Sequence, residues 1–243
     1  MNKLLTTLFV LSVACATGLA QAQTPAAGNP PAAAAAAPAK APTAPASPKS
    51  IEAKVAMCMG CHNIIGYKGT FPEVYRVPQI AGQSAKYIAA ALNAYKTGDR
   101  KHPTMRGIAD TLSEQDVADI SAFYENLGKD ERKVAGDKPS REPSTQVAAL
   151  LQKAACASCH GANFSKPIDP SYPKIAGQYS DYLFVALKSY KTENNPAVGR
   201  NNGVMGAIAK QFSNAELKAL ANYVGSLDGE MGTIPEPRFH RNH

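Results

Sequence analysis

The chain has 243 residues, with 26 lysines and arginines against 19 acidic residues and a formal net charge of +7. Its 44% hydrophobic and 19% charged residues exclude both a polar disordered chain and a membrane bundle. The basic residues are spread along the chain without a dense run, so we expect no nucleic-acid-binding surface.

Residues 1–22 have the pattern of a secretory signal peptide. Lys3 supplies the positive start, an apolar stretch runs over residues 4–20, and Ala20-Gln21-Ala22 matches the small-x-small cleavage pattern. The stretch is short of the ~20 strongly apolar residues that a span needs, which favours cleavage over a retained anchor. The sequence therefore predicts export to the periplasm, with four of the five cysteines left after loss of Cys15.

Residues 23–50 are rich in alanine and proline. The repeated prolines break a helix and favour extended polyproline geometry. We therefore expect a disordered, semi-rigid tether that forms no core and provides reach, including room for loose association with a membrane.

The remainder of the chain contains an internal repeat, which determines the predicted architecture. Residues 78–83 read P-Q-I-A-G-Q and residues 173–178 read P-K-I-A-G-Q, an offset of 95, and further matches follow at offsets of 98 and 100. We predict two copies of one domain, at 51–134 (the first repeat) and 146–243 (the second repeat), joined by a linker at 135–145. Tyr95 and Tyr190 are expected in the cores rather than as redox relays. The matched pairs include Cys58/Cys156, Cys61/Cys159, His62/His160, Tyr87/Tyr182, Leu92/Leu187, Tyr95/Tyr190, Met105/Met205, Ile108/Ile208 and Ser113/Ser213.

Each copy has the pattern of helices. Residues 84–97 carry apolar side chains at helical spacing. Ser113 with Asp116, and Ser213 with Glu216, form the signature of a capping box at a helix start. No sustained alternation with a period of two is present, so the fold class predicted is all-α, without sheet.

Each copy also contains a C-x-x-C-H motif, at Cys58–His62 and Cys156–His160. Two thiols at this spacing can each add to a vinyl group of one haem, and the adjacent histidine then lies under the iron. Two such motifs at matched places in an exported chain predict two covalently bound c-type haems. A thioredoxin-like redox pair, which needs a βαβ context, and a zinc site, which leaves the matched methionines unexplained, are the alternatives.

Met105 and Met205 are the candidates for the sixth ligand of each iron. They lie 43 and 45 residues after His62 and His160, and we place them in glycine-rich loops, outside the apolar stripes of the helices. A thioether favours reduced iron, so ligation by histidine and methionine raises the reduction potential.

Three smaller features accompany these ligands. His102 competes with the methionine at the first haem, but its counterpart in the repeat is Asn202. The carbonyl groups of Pro78 and Pro173 are candidates to receive the ring N–H of each ligating histidine, or else these are turn prolines. A third pair, Gln83 and Gln178, is expected to face either the haem propionates or solvent.

The combination of two C-x-x-C-H motifs, each followed by P-x-I-A-G-Q, a Y-x-x-x-A-L helix and a methionine, resembles the dihaem cytochrome c4 family over roughly residues 51–228. The resemblance implies two class I cytochrome c domains about a pseudo-twofold axis, with the propionates facing each other. Asn63 departs from it, because a glycine usually follows the haem histidine, as Gly161 does. Carried over by position, the haem attachments are Cys58, Cys61, Cys156 and Cys159, and the axial ligands are His62, Met105, His160 and Met205.

The function implied is that of a periplasmic electron carrier between a cytochrome bc complex and a terminal oxidase. Filled axial positions leave no open site on either iron, so we expect no enzymatic activity and no small-molecule substrate. A dihaem peroxidase and the cytochrome subunit of a periplasmic dehydrogenase are the alternative functions.

Overall fold

A computed structural model of the protein describes residues 50–236. The expected signal peptide and nearly all of the expected tether lie outside the described residues. Within the described part of the chain, no helix is both long enough and apolar enough to cross a membrane.

The first repeat consists of four helices and three strands of two residues each. Its first two strands pair antiparallel as a small hairpin. In chain order the elements are α1 (Ile51–His62), β1 (Lys68–Gly69), β2 (Tyr75–Arg76), α2 (Ala85–Thr97), β3 (Arg100–Lys101), α3 (Pro103–Ala109) and α4 (Glu114–Asn126).

The second repeat has the same order of main helices, with one break. The helix that carries the C-x-x-C-H motif is continuous in the first repeat but is interrupted at Ala155, whose φ of 48° ends the helical run. The elements are α5 (Thr145–Ala154), α6 (Ala157–His160), α7 (Ser180–Ser189), β4 (Gly199–Arg200), α8 (Gly203–Ala209) and α9 (Asn214–Gly225).

Both predicted capping boxes are present. The Ser113 hydroxyl accepts from the backbone N–H of Asp116, whose carboxylate accepts from the Ser113 N–H, and Ser213 and Glu216 repeat this arrangement. Such caps satisfy N–H groups that the first turn leaves free and contribute ~1 kcal/mol each. They fix where α4 and α9 begin.

The cores form where the helices of each repeat cross. In the first repeat one cluster lies between α1, α2 and α4, and three smaller clusters fill the second repeat. The buried members in the first repeat are Val55, Met59, Ala81, Ile88, Leu92, Val117, Ile120 and Tyr124.

The fold is mainly helical as predicted, but strand pairing is not absent. β3 of the first repeat pairs antiparallel with β4 of the second, with Arg100 opposite Arg200. The sequence did not indicate this pair, because two residues are too few to produce an alternating pattern. It joins the two repeats directly.

The last described residues, 229–236, here called the C-terminal strap, follow the last helix of the second repeat and contact the first repeat. The Gly232 N–H donates to the Ala81 carbonyl at 3.0 Å, and Ile234 packs against the core of the first repeat. Lys174 and Glu230 form an ion pair at 2.7 Å between the second repeat and the strap. The strap therefore contacts both repeats.

Candidate functional site

The first C-x-x-C-H motif forms the C-terminal end of α1, and the second runs from Cys156, the residue before α6, to His160, the last residue of that helix. All four cysteine thiols are free and half-buried. The first cysteine of each pair borders a hydrophobic cluster, and burial raises the pKa of Cys58 and of Cys156 to about 11. Burial therefore favours the protonated form of these two thiols.

The histidine of each motif is held by the proline predicted for it. His62 Nδ1 lies 2.8 Å from the Pro78 carbonyl oxygen, and His160 Nδ1 lies 2.9 Å from that of Pro173. A carbonyl only accepts, so Nδ1 carries the proton and the Nε2 lone pair is left for a metal. Burial lowers the pKa of both imidazoles, which favours this neutral form.

The two methionines do not lie in loops, as expected, but in short helices. Met105 is the third residue of α3 and Met205 the third residue of α8. The glycine content predicts loops, but Gly203 is itself the first helical residue of α8. Met105 packs against the first core cluster and Met205 is half-buried.

His102 and Asn202 have the same structural role. The side chain of each caps its helix: His102 Nδ1 accepts from the Met105 N–H at 3.4 Å, and Asn202 Oδ1 accepts from the Met205 N–H at 2.9 Å. The other ring nitrogen of His102, Nε2, bonds to the Tyr75 hydroxyl at 3.0 Å. His102 thus positions the backbone that carries Met105, which explains its match with an asparagine.

Gln83 and Gln178 do not face solvent, one of the two surroundings expected for them from the sequence. They are buried, with 4% and 5% of their surface exposed, and each bonds to the backbone of the other repeat. Gln83 Nε2 donates to the Lys174 carbonyl at 2.9 Å, and the Lys174 N–H donates to Gln83 Oε1 at 3.0 Å. Gln178 makes the same pair of bonds with Gln79.

The glycine before each of these glutamines has a positive φ that the turn requires. Gly82 has a φ of 86° and Gly177 a φ of 72°. A Cβ on Gly82 would collide with the side chain of Arg132 and with the Glu230 carbonyl oxygen. The A-G-Q sequence therefore directs each amide into the interface between the repeats.

Sequence reasoning missed an arginine in each repeat. Arg100 donates to the Tyr87 hydroxyl at 2.8 Å, and Arg200 donates to the Tyr182 hydroxyl at 2.9 Å. The two arginines match at an offset of 100, which could have revealed them. Tyr95 and Tyr190, expected in the cores, lie beside these guanidinium groups instead.

Comparison with known proteins identifies the architecture. The cytochrome c family profile matches residues 52–128 and 144–228, once for each repeat. The chain belongs to the cytochrome c family. Its similarity to dihaem cytochromes c4 in sequence and fold places it among that group, as the resemblance in sequence implied.

Three proteins illustrate the similarity. Cytochrome c4 of Pseudomonas aeruginosa is 26% identical over 180 residues, covering 72% of this chain and 86% of the relative. A thiosulfate dehydrogenase electron acceptor of Thiomonas intermedia is 26% identical over 194 residues, covering 75% and 84%. The structure of Acidithiobacillus ferrooxidans cytochrome c4 has a TM-score of 0.51 at 25% identity, covering 71% of this chain and 99% of that one.

The residues present fit two c-type haems, one for each cytochrome c domain. Each motif offers two unpaired thiols for the vinyl groups and an imidazole whose Nδ1–H is fixed by a proline carbonyl. A c-type haem supplies a one-electron iron couple, so the cytochrome is an electron carrier and its partners are redox proteins.

Proposed function

We propose that the cytochrome carries electrons one at a time through two haems with histidine and methionine ligation. Cys58 and Cys61 attach the first haem, and His62 and Met105 are its axial ligands. In the second repeat the attachments are Cys156 and Cys159, and the ligands are His160 and Met205.

The observation that carries this proposal is the duplicated histidine geometry. Both imidazoles donate Nδ1–H to the carbonyl oxygen of a matched proline, at 2.8 and 2.9 Å. This bond fixes the ring orientation and raises the basicity of Nε2, as expected for an axial ligand. Thioether ligation on the opposite side favours the ferrous state, so both potentials are expected to be high for a haem protein.

With both axial positions filled by the protein, neither iron has a position open to peroxide or another substrate. We therefore infer a carrier rather than an enzyme. Its partners are a quinol-oxidising cytochrome bc complex as donor and a terminal oxidase as acceptor, and its location is the periplasm. A dihaem peroxidase would need one iron to lose Met105 or Met205.

A dehydrogenase is the second candidate for the electron donor. The similarity to a thiosulfate dehydrogenase electron acceptor favours it, since that relative covers 75% of this chain. The two candidates differ in the donor alone, because the same haems would accept the electron in either case.

An optical redox titration of the mature holoprotein tests the proposal. Pyridine haemochrome analysis is expected to give two haems per chain that acid acetone does not extract. The oxidised protein is expected to show the far-red band of a sulfur-to-iron bond, with two resolvable potentials. One haem, extractable haem, or peroxide turnover by the reduced protein would contradict it. Reduction rates with a bc complex and with thiosulfate dehydrogenase decide between the donors.

A further inference from the structure

His102 forms hydrogen bonds through both of its ring nitrogens. Nδ1 accepts from the Met105 N–H at 3.4 Å, and Nε2 lies 3.0 Å from the Tyr75 hydroxyl. Because a backbone N–H only donates, Nδ1 carries a lone pair, so the ring proton is on Nε2 and is donated to the Tyr75 oxygen. The two partners together select one tautomer of a neutral imidazole.

The partner of Nε2 belongs to the small hairpin of the first repeat. Tyr75 is on β2 and is buried, with 7% of its surface exposed, and the ring of Phe71, between β1 and β2, meets the His102 ring edge to face at 5.8 Å. The next residue of β2, Arg76, bonds to the Asp181 carboxylate of the second repeat through its backbone N–H and its guanidinium. The hairpin is therefore anchored independently of His102 and offers it a fixed acceptor.

The second repeat has neither residue of this pair. Asn202 takes the place of His102 as the cap of its helix, and the position that matches Tyr75 at the offset of 95 is Pro170, whose side chain has no hydrogen-bonding group. An imidazole is a common haem ligand, whereas an asparagine amide is not. The tyrosine thus occurs in the repeat that has an imidazole beside its methionine, and not in the other.

We propose that Tyr75 is a positioning residue that holds His102 away from the first iron, so that Met105 stays the sixth ligand in both oxidation states. This inference rests on the haem ligation proposed above. In an exchange of ligands the iron–sulfur bond would break and an iron–nitrogen bond would form, with no proton or electron gained or lost. Since both ring nitrogens of His102 are engaged, the imidazole would first have to leave its partners.

The oxidation state of the iron determines when this restraint matters. A thioether favours reduced iron, so the bond to Met105 is weaker in the ferric protein. An imidazole is a less soft ligand than a thioether, so His102 competes best when the iron is oxidised. We therefore expect loss of the Tyr75 hydroxyl to change the ligand of the oxidised first haem and to leave the reduced haem with methionine.

The test is Tyr75→Phe, which keeps the aromatic ring and removes the hydroxyl. In the oxidised holoprotein, the far-red sulfur-to-iron band is expected to fall by up to about half, the share of one haem in two, with a low-spin bis-histidine signal in its place. The spectrum of the reduced protein is expected to stay unchanged. The matched control is Tyr75→Phe combined with His102→Asn, which removes the competing imidazole and is expected to restore the full band.

Asn202→His is the second variant and leaves the hairpin untouched. It places an imidazole before Met205, in the repeat that has Pro170 where the first has Tyr75. Because this imidazole has no phenol to hold it, the far-red band of the second haem is expected to fall in the oxidised protein. This variant decides the question if Tyr75→Phe does not assemble.

The outcomes separate this inference from the proposed function. Fewer than two haems, or a natural protein without the far-red band, contradicts the haem ligation itself. With two haems and the band present, a full band in Tyr75→Phe overturns the restraint, and so does a loss that His102→Asn fails to reverse, since that loss would come from packing. A full band in Asn202→His shows that an unrestrained imidazole does not compete and also overturns it. Nitrogen-15 shifts of the reduced natural protein are expected to place the His102 proton on Nε2, and a proton on Nδ1 would overturn the hydrogen bond on which the restraint depends.

Discussion

Gln178 and Gln79 bind each other across the boundary between the two repeats. Gln178 Nε2 donates to the Gln79 carbonyl oxygen at 2.8 Å, and the Gln79 N–H donates to Gln178 Oε1 at 3.0 Å. Gln83 forms the same two bonds in the opposite direction, with Lys174. Each of the two glutamine side chains thus bonds to the backbone of the other repeat, so the hydrogen bonds across the interface are reciprocal.

The first prediction concerns this exchange. Gln178→Ala removes both half-buried hydrogen bonds to Gln79, and also the bond that Gln178 Oε1 accepts from the Tyr179 N–H, so we expect it to cost about 3 kcal/mol of unfolding free energy. Urea unfolding followed by circular dichroism measures the loss. Gln115→Ala is the control, because this exposed amide on α4 bonds only to Asp119 on its own helix. A loss as small as that of the control would contradict an energetic role for Gln178.

The second prediction concerns Asn63, which stands where cytochromes of this group usually have glycine. Its side chain is buried, donates to the Ile234 carbonyl in the C-terminal strap at 2.7 Å and accepts from the Tyr124 hydroxyl at 2.9 Å. Asn63→Ala is expected to cost about 3 kcal/mol and to expose the strap to proteases, because both bonds are lost.

Asn126→Ala is the matched control for Asn63. This exposed side chain bonds only to a carbonyl of its own helix, so its loss is expected to change the unfolding free energy by less than about 0.5 kcal/mol. Proteolysis of the strap at the same rate in Asn63→Ala as in the natural protein would show that Asn63 does not hold it.

Most of the features that could be predicted from the sequence depend on residues that are close together in the chain. The repeat located the main helices, the cysteine motifs and the prolines that hold the histidines, because each of these depends on residues close in the chain. Gln83 and Gln178 were not predictable in the same way, since their partners are backbone atoms of the other repeat. A glutamine amide forms hydrogen bonds with backbone groups and with water alike, so its residue type does not indicate which of the two it will meet.

The helices that carry the methionines could have been predicted. Pro103 is the first residue of α3, where its fixed φ suits a helix start, and Asn202 is a favoured cap before α8. Glycine content outweighed these signals in our interpretation. The strand pair β3–β4 could not be predicted, because its two residues pair across repeats and carry charges rather than an apolar pattern.

The third prediction concerns acid stability. Lys54 bonds to Asp116 and Asp119, and the hydrogen bond from Lys54, with those from Ser113, lowers the pKa of Asp116 to about 2. An unfolded aspartate has a pKa of about 3.9, so this contribution to stability is complete above that pH and is lost as the pH falls toward 2. Asp116→Asn should flatten the fall in stability between these values.

Thermal unfolding from pH 6 to pH 2 measures this dependence. Glu114→Gln, an exposed neutralising substitution in the same helix, is the control and is expected to preserve the slope of the natural protein. An Asp116→Asn variant whose stability falls as steeply as that of the natural protein would assign the acid sensitivity to other carboxylates, of which Asp169, with its pKa lowered to about 2, is the next to test.

The fourth prediction concerns the iron ligands. Met205→Ala is expected to remove about half of the far-red sulfur-to-iron band and to lower one potential, because a thioether stabilises ferrous iron. Met105→Ala is expected to remove the other half and to lower the second potential. The surroundings differ, with His102 before one methionine and Asn202 before the other, so the two potentials are expected to be similar in class but resolvable.

His102 allows the assignment at the first haem to be tested directly. The structure gives this side chain the same role as Asn202: each accepts a hydrogen bond from the backbone N–H of the methionine three residues later. His102→Asn should therefore keep the cap and leave the far-red band at full strength, whereas Met105→Ala frees His102 to bind iron and to give a low-spin bis-histidine spectrum. If His102→Asn instead abolishes low-spin ligation while Met105→Ala leaves the band unchanged, then His102 is the native ligand and Met105 is only a core residue.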